Sequence, residues 1–138
     1  MSDLSTPKAF IANAERVTDV YGEWPTFHDS EVLSLSLDRG KQPELQPTMT
    51  VRIWTFMPHR GQTDEKGYYT RSRYSIITFL FERPNDLIIE DFNHQNVLAG
   101  IVFREVGAMV EVKLEGLFGI NATLVCSRVC VERIEMLS

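Results

Sequence analysis

Cysteine and histidine are scarce in this sequence, and their scarcity removes several kinds of chemistry at the outset. The two cysteines, Cys126 and Cys130, lie four residues apart in a segment that reads as strand, where the usual rise separates them by roughly 13 Å. A disulfide needs a much shorter span. Two unpaired thiols fit a reducing cytoplasm, and burial as small hydrophobes accounts for them more simply than metal ligation, which needs further ligands nearby. Neither has the glycine-rich or helix-start surroundings that lower a thiol pKa. The three histidines, His28, His59 and His94, form no close pair at helix or strand spacing, so no single element is set up to hold a metal. No serine occupies a Gly-x-Ser-x-Gly turn, which leaves no signal for a serine nucleophile.

Long hydrophobic runs are also missing. Residues 1–10 lack the basic region and apolar run of a secretory signal, and no later stretch reaches a membrane-spanning length, so the expectation is a cytoplasmic protein with no membrane partner. No internal repeat, low-complexity tract or charge block interrupts the chain. At 138 residues the expectation is a single domain over 1–138. Nineteen acidic against fourteen basic residues give a net charge of -5, which argues against a nucleic-acid partner and favours a basic one; simple solubility explains the same number.

What is present is one helical pattern followed by many strand patterns. Thr6 can cap, Pro7 suits a first helical position, and Phe10, Ala14, Val17 and Tyr21 share a face, which predicts a helix over 7–21 ended by Gly22. From Glu31 the period becomes two, with Leu33, Leu35 and Leu37 on the apolar face of a half-buried strand. Runs at 49–57 and 68–82 predict a long hairpin around a polar loop at 58–67. Further strands are expected at 87–92, 101–106 and 108–114, with a last strand pair between Ile120 and Met136. No strand-helix alternation occurs, so the expected fold class is α+β: a mostly antiparallel β sheet or sandwich from about 30 to 136, with one N-terminal helix packed on it.

Two segments concentrate side chains able to do chemistry. The first, residues 21–31, carries Trp24, Phe27, His28, Asp29 and Glu31 in a mere connector. His28 could serve as a base or metal ligand oriented by a carboxylate; a purely structural account has the aromatics plugging the core while Asp29 or Ser30 satisfies backbone donors. The second is Asp91-Phe92-Asn93-His94-Gln95-Asn96-Val97. Turn chemistry explains one or two of its amides, and four successive polar side chains equally suit a binding surface. A third polar stretch, 59–67, carries both signs of charge and two glycines but lacks the lysine-serine ending and following helix of a phosphate cradle, and reads as a solvated loop. Arg71 and Arg73 could dock an anion or decorate an exposed sheet face.

Taken together, Trp24-Pro25-x-Phe27-His28-Asp29-x-Glu31-Val32 and Asp91-Phe92-Asn93-x-Gln95-Asn96-Val97, with the strand ending near Cys126, give a chain that resembles the immunity protein 50 family of bacterial polymorphic toxin systems. The resemblance implies a non-enzymatic cytoplasmic antidote, without cofactor or metal, that binds a cognate protein toxin. The residues taken as candidates for partner binding are Trp24, His28, Asp29, Glu31, Asn93, Gln95 and Asn96; no catalytic set is assigned. Two other readings belong to different classes. One is a metal-assisted hydrolase using His28 and Asp29 with a distant His59 or His94. The other is an interaction module that self-associates through a strand edge.

Overall fold

Alternation of side chains along each strand decides where the core lies. The computed structural model describes residues 9–41, 45–63, 65 and 69–137. Within them are β1 (Ile11–Ala12), α1 (Glu15–Tyr21), β2 (Glu31–Asp38), β3 (Thr48–Thr63), β4 (Tyr69–Glu82), β5 (Asn85–Glu90), β6 (Val97–Val106), β7 (Met109–Phe118), β8 (Asn121–Cys126) and β9 (Arg128–Met136). In the β3–β4 hairpin, Met49, Val51 and Ile53 sit opposite Phe81, Phe79 and Ile77, and all six are buried. Val110, Val112 and Leu114 on β7 face Cys126, Leu124 and Ala122 on β8 in the same way. Each such large apolar side chain contributes about 1.5–3 kcal/mol of burial.

The nine strands form one sheet in the order β1-β9-β4-β3-β2-β6-β7-β8-β5. Every pairing among the described residues is antiparallel except β1 with β9. The mostly antiparallel α+β fold expected from the sequence is therefore the fold observed. The sheet bends sharply on itself. β4 and β6 are three strands apart, roughly 14 Å in a flat sheet, yet Phe79 and Phe103 have ring centroids 5.7 Å apart. Bends at two adjacent places produce the fold-over. The pair β4–β9 ends at Glu82 opposite Arg128 and resumes beyond the bend as β5–β8, with Asn85 opposite Val125. Arg83 takes a positive φ of 53°, and Ser127 ties the corner by donating its backbone N–H to the Glu82 carbonyl at 2.9 Å. Strands that switch sides at a corner are the usual way for two β layers to share one hydrogen-bonded sheet.

Four expectations need correcting. The helix is shorter than 7–21: Asn13 is left-handed at φ 61°, and Ile11 and Ala12 are taken by β9, opposite Val129 and Cys130. A pairing partner more than a hundred residues away is invisible to local periodicity. Thr6 and Pro7 lie outside the described residues. Gly22 does end α1, at φ 79° with its N–H donated to the Thr18 carbonyl at 2.7 Å, as a left-handed cap should.

The two last strands exist but do not pair with each other, since β8 lies between β7 and β5 while β9 lies between β4 and β1. On β2 the leucines do not share one buried face. A bulge between Val32 and Ser34 lets Val32 face Ile53 and Leu35 face Val51, and leaves Leu33 and Leu37 exposed; one extra residue shifts the alternation. The hairpin itself is as expected, although its strands run to Thr63 and Tyr69, into the stretch read as loop.

Candidate functional site

The two motif segments, sixty residues apart, meet. β2 and β6 pair only at Glu31 and Val97, and the ladder is extended by three backbone bonds: Asp29 N–H to Leu98 O (2.9 Å), Leu98 N–H to Ser30 O (2.8 Å) and Val32 N–H to Asn96 O (2.9 Å). This joint links the two halves of the folded sheet.

The first segment crosses the joint with alternating commitments. Trp24 points inward and is 6% exposed, edge-on to Phe27, Phe79 and Phe103 at 5.8–6.1 Å. Such geometry suits the ring quadrupoles. Phe27 is fully buried as well, and its backbone is left-handed at φ 63°, followed at Asp29 by φ 64°. A bulky residue there is strained. The two inversions turn the chain out and back, so that His28 projects outward. The His28 side chain is 60% exposed and that of Asp29 39%, with Nε2 3.6 Å from Oδ1, a separation and exposure at which an ion pair adds little. The other ring nitrogen faces the Ala99 carbonyl at 3.4 Å. Ser30 is buried against the Thr55 hydroxyl at 2.7 Å, and Glu31 is half-buried opposite Trp54 on β3.

The second segment spends most of its polar groups on itself. Asn96 is buried; its Oδ1 accepts from the Asn93 N–H (2.9 Å) and the Ile120 N–H (3.2 Å), and its Nδ2 donates to the Asn93 carbonyl (2.7 Å). Asn93 in turn donates to the Asp91 carbonyl and accepts from the Gln95 N–H. Gly119 closes the cradle: at φ 75°, a Cβ there would lie 2.3 Å from the Gln95 carbonyl oxygen and 2.7 Å from Asn96 Oδ1. Gln95, His94 and Phe92 remain exposed.

The seven candidate residues thus divide. His28, Asp29, Glu31, Asn93 and Gln95 reach the surface or its margin, whereas Trp24 and Asn96 hold the joint from beneath. Arg73, read as an anion dock or decoration, instead donates to the Val20 carbonyl at 2.8 Å and fastens the end of α1 to β4. The Tyr21 hydroxyl joins that fastening through the Arg73 carbonyl and Ser75 Oγ, and burial pushes its pKa up. The side chains of His59 and Arg71 lie outside the described residues. Among those described, no three of His, Cys, Asp and Glu gather to hold a metal ion, and no helix is long and apolar enough to cross a membrane.

Cys126 and Cys130 carry free thiols. Burial raises the Cys126 pKa from 9.0 to about 11, and its Sγ donates to the Val110 carbonyl at 3.6 Å. Cys130 Sγ accepts from Asn13 Nδ2 at 3.4 Å.

The fold is α+β, and its polar motif residues are carried where β2 meets β6. The chain belongs to the immunity protein 50 family, whose model matches residues 13–137. No curated protein and no solved structure matches it. Both segments singled out in the sequence, which form the two halves of the joint, lie within the matched residues.

Proposed function

We propose that this chain is a cytoplasmic antidote that neutralises a cognate protein toxin by binding it, without turnover, through the outer surface of the β2–β6 joint. Membership of an immunity protein family supports this reading at the level of class. The observation that carries the choice of surface is the left-handed backbone at Phe27, strained for so bulky a residue, and again at Asp29, which holds His28 out on a backbone pinned from both sides. Strain persists where surroundings over-determine it and is concentrated at functional sites. His28, Asp29 and Glu31 supply a donor or acceptor and two carboxylates, with Asn93 and Gln95 at the margin. Preorganised polar groups of this kind limit the ordering cost of association, and a net negative charge speeds encounter with a basic toxin.

The test is a capture of the tagged chain from its source bacterium, followed by binding of the recovered toxin domain to the wild type and to a His28→Ala/Asp29→Asn/Glu31→Gln variant. Asparagine tolerates the left-handed backbone at 29. The variant should fold as the wild type and bind at least about tenfold more weakly, which is about 1.4 kcal/mol. Equal binding by a folded variant would remove this surface from the proposal; failure to recover any toxin would remove the antidote reading.

A further inference from the structure

We propose that the open edge of β5 (Asn85–Glu90) is a docking strand, to which an extended cationic segment of the toxin adds as a further strand of the sheet. The proposal deepens the antidote reading and rests on it for the nature of the partner. Among the described residues β5 pairs only with β8, at Asn85–Val125 and Ile88 to Glu90 with Thr123 to Asn121. Five of its six residues are exposed, with Leu87 alone half-buried. On an edge strand the backbone groups turned away from the neighbour have no ladder partner and offer a template for another chain. Side chains on this edge are adhesive as well. Ile88 is 56% exposed and Ile89 37%. A groove of about 260 Å³ between Ile88, Glu90, Lys113 and Thr123 lies on the inner side of the strand, over β8, and not on the open edge. In strand addition, main-chain bonds supply the affinity.

Charge decides between the possible occupants. Asp86, Glu90 and Asp91 line the edge and its exit, and none makes an ion pair with a described residue; the nearby cation of the groove, Lys113, is already 3.8 Å from Glu115. A second copy of this chain is a poor partner, because it brings the same exposed carboxylates, Asp86, Glu90 and Asp91, to an edge that already carries them. Like charges directly opposite are destabilising. A strand carrying lysine or arginine at those places meets complementary charge instead. The strand ends at Glu90, and the chain turns at Asp91, where φ is 59°, toward the joint.

The experiment follows the backbone amides of the isotope-labelled full chain during titration with an end-blocked hexapeptide of alternating lysine and valine. Its glutamate-valine counterpart and a version broken by a central proline serve as controls. At a peptide concentration about ten times its Kd, exchange of the 85–90 amides should slow by about tenfold, and neither control should protect them. An Asp86→Asn/Glu90→Gln/Asp91→Asn variant, whose asparagines suit the left-handed backbone of 86 and 91, should lose that response. It should also bind the captured toxin domain at least about tenfold more weakly.

Absence of protection at 85–90, equal binding of the acidic peptide, or self-association of the chain through β5 would overturn the proposal. If the variant binds the toxin like the wild type, the edge is not the dock although the antidote reading stands. If the wild type recovers no toxin, the antidote reading falls, and the peptide titration still decides whether the edge accepts a cationic strand.

Discussion

Residues 24–31 and 91–97 look alike in sequence, each a short polar run that mixes aromatic and acidic side chains with a histidine, yet the folded chain uses them in opposite ways. The second segment closes on itself. Asn93 and Asn96 exchange bonds with neighbouring backbone, and Gly119 gives them room. The first divides its side chains between the two faces of the sheet, with Trp24 and Phe27 inward and His28 outward. The lesson is that a density of polar residues does not by itself indicate a surface. What matters is how many of their hydrogen bonds the chain already satisfies.

That contrast can be broken most violently at its inward side. Trp24→Ala removes a ring held edge-on by three others and should cost ~3–5 kcal/mol in denaturant unfolding. A loss below about 1 kcal/mol would mean that the joint does not hang on this anchor. Next in size is Asn96→Ala, which strands the Asn93 and Ile120 donors and the Asn93 carbonyl; we expect about 2–4 kcal/mol, against at most ~0.5 kcal/mol for Gln95→Ala one residue earlier. Similar losses at 95 and 96 would contradict the self-closed cradle. Smaller again is the thermodynamic cost of His28→Ala/Asp29→Asn/Glu31→Gln, expected to stay within about 1 kcal/mol because the pair they disrupt is exposed.

The gentlest test is alkaline titration. Cys126 has a pKa of about 11 in the folded chain against 9.0 ordinarily, so the folded state holds its proton longer than the unfolded one. Its contribution is then fully present below pH 9 and is lost as pH rises through 11. Cys126→Ala should flatten the stability profile over that window after correction for its own packing loss, and an unchanged slope would place the titrating group elsewhere.

Much of the architecture was legible because strands with one buried face announce themselves at a period of two. The β3–β4 hairpin, the β6–β7 turn at Gly107 and the helix stop at Gly22 all carry local chemistry that survives into the fold. Long-range choices were not legible. Ile11 and Ala12 read as helix until Val129 and Cys130 supply a strand to pair with. Cys126 and Cys130 read as members of one strand, although Ser127 between them is a corner where β8 gives way to β9 and the chain changes layers. The bulge after Val32 keeps Leu35 against the core and leaves Leu33 and Leu37 exposed. At the site, the quoted motifs located the joint, but nothing local distinguished Asn96, which is consumed by backbone, from Gln95, which is not. The β5 edge went unread, because Asn85–Glu90 looks like any apolar strand until its missing neighbour is known.

The place of β9 between β1 and β4 also has a consequence for timing. β9 is the last strand of this sheet to leave the ribosome, yet it sits inside the sheet, where it closes β4 and recruits residues 11 and 12. Contacts of such high sequence separation form slowly and late. A chain that lacks β9 has nothing to pair with β4 from Ser75 to Glu82 on that side, and residues 11 and 12 have no strand to join. Copies cut short before Arg128 leave one edge of β4 open to pairing with other chains, so a truncated product is an aggregation hazard before it is anything else.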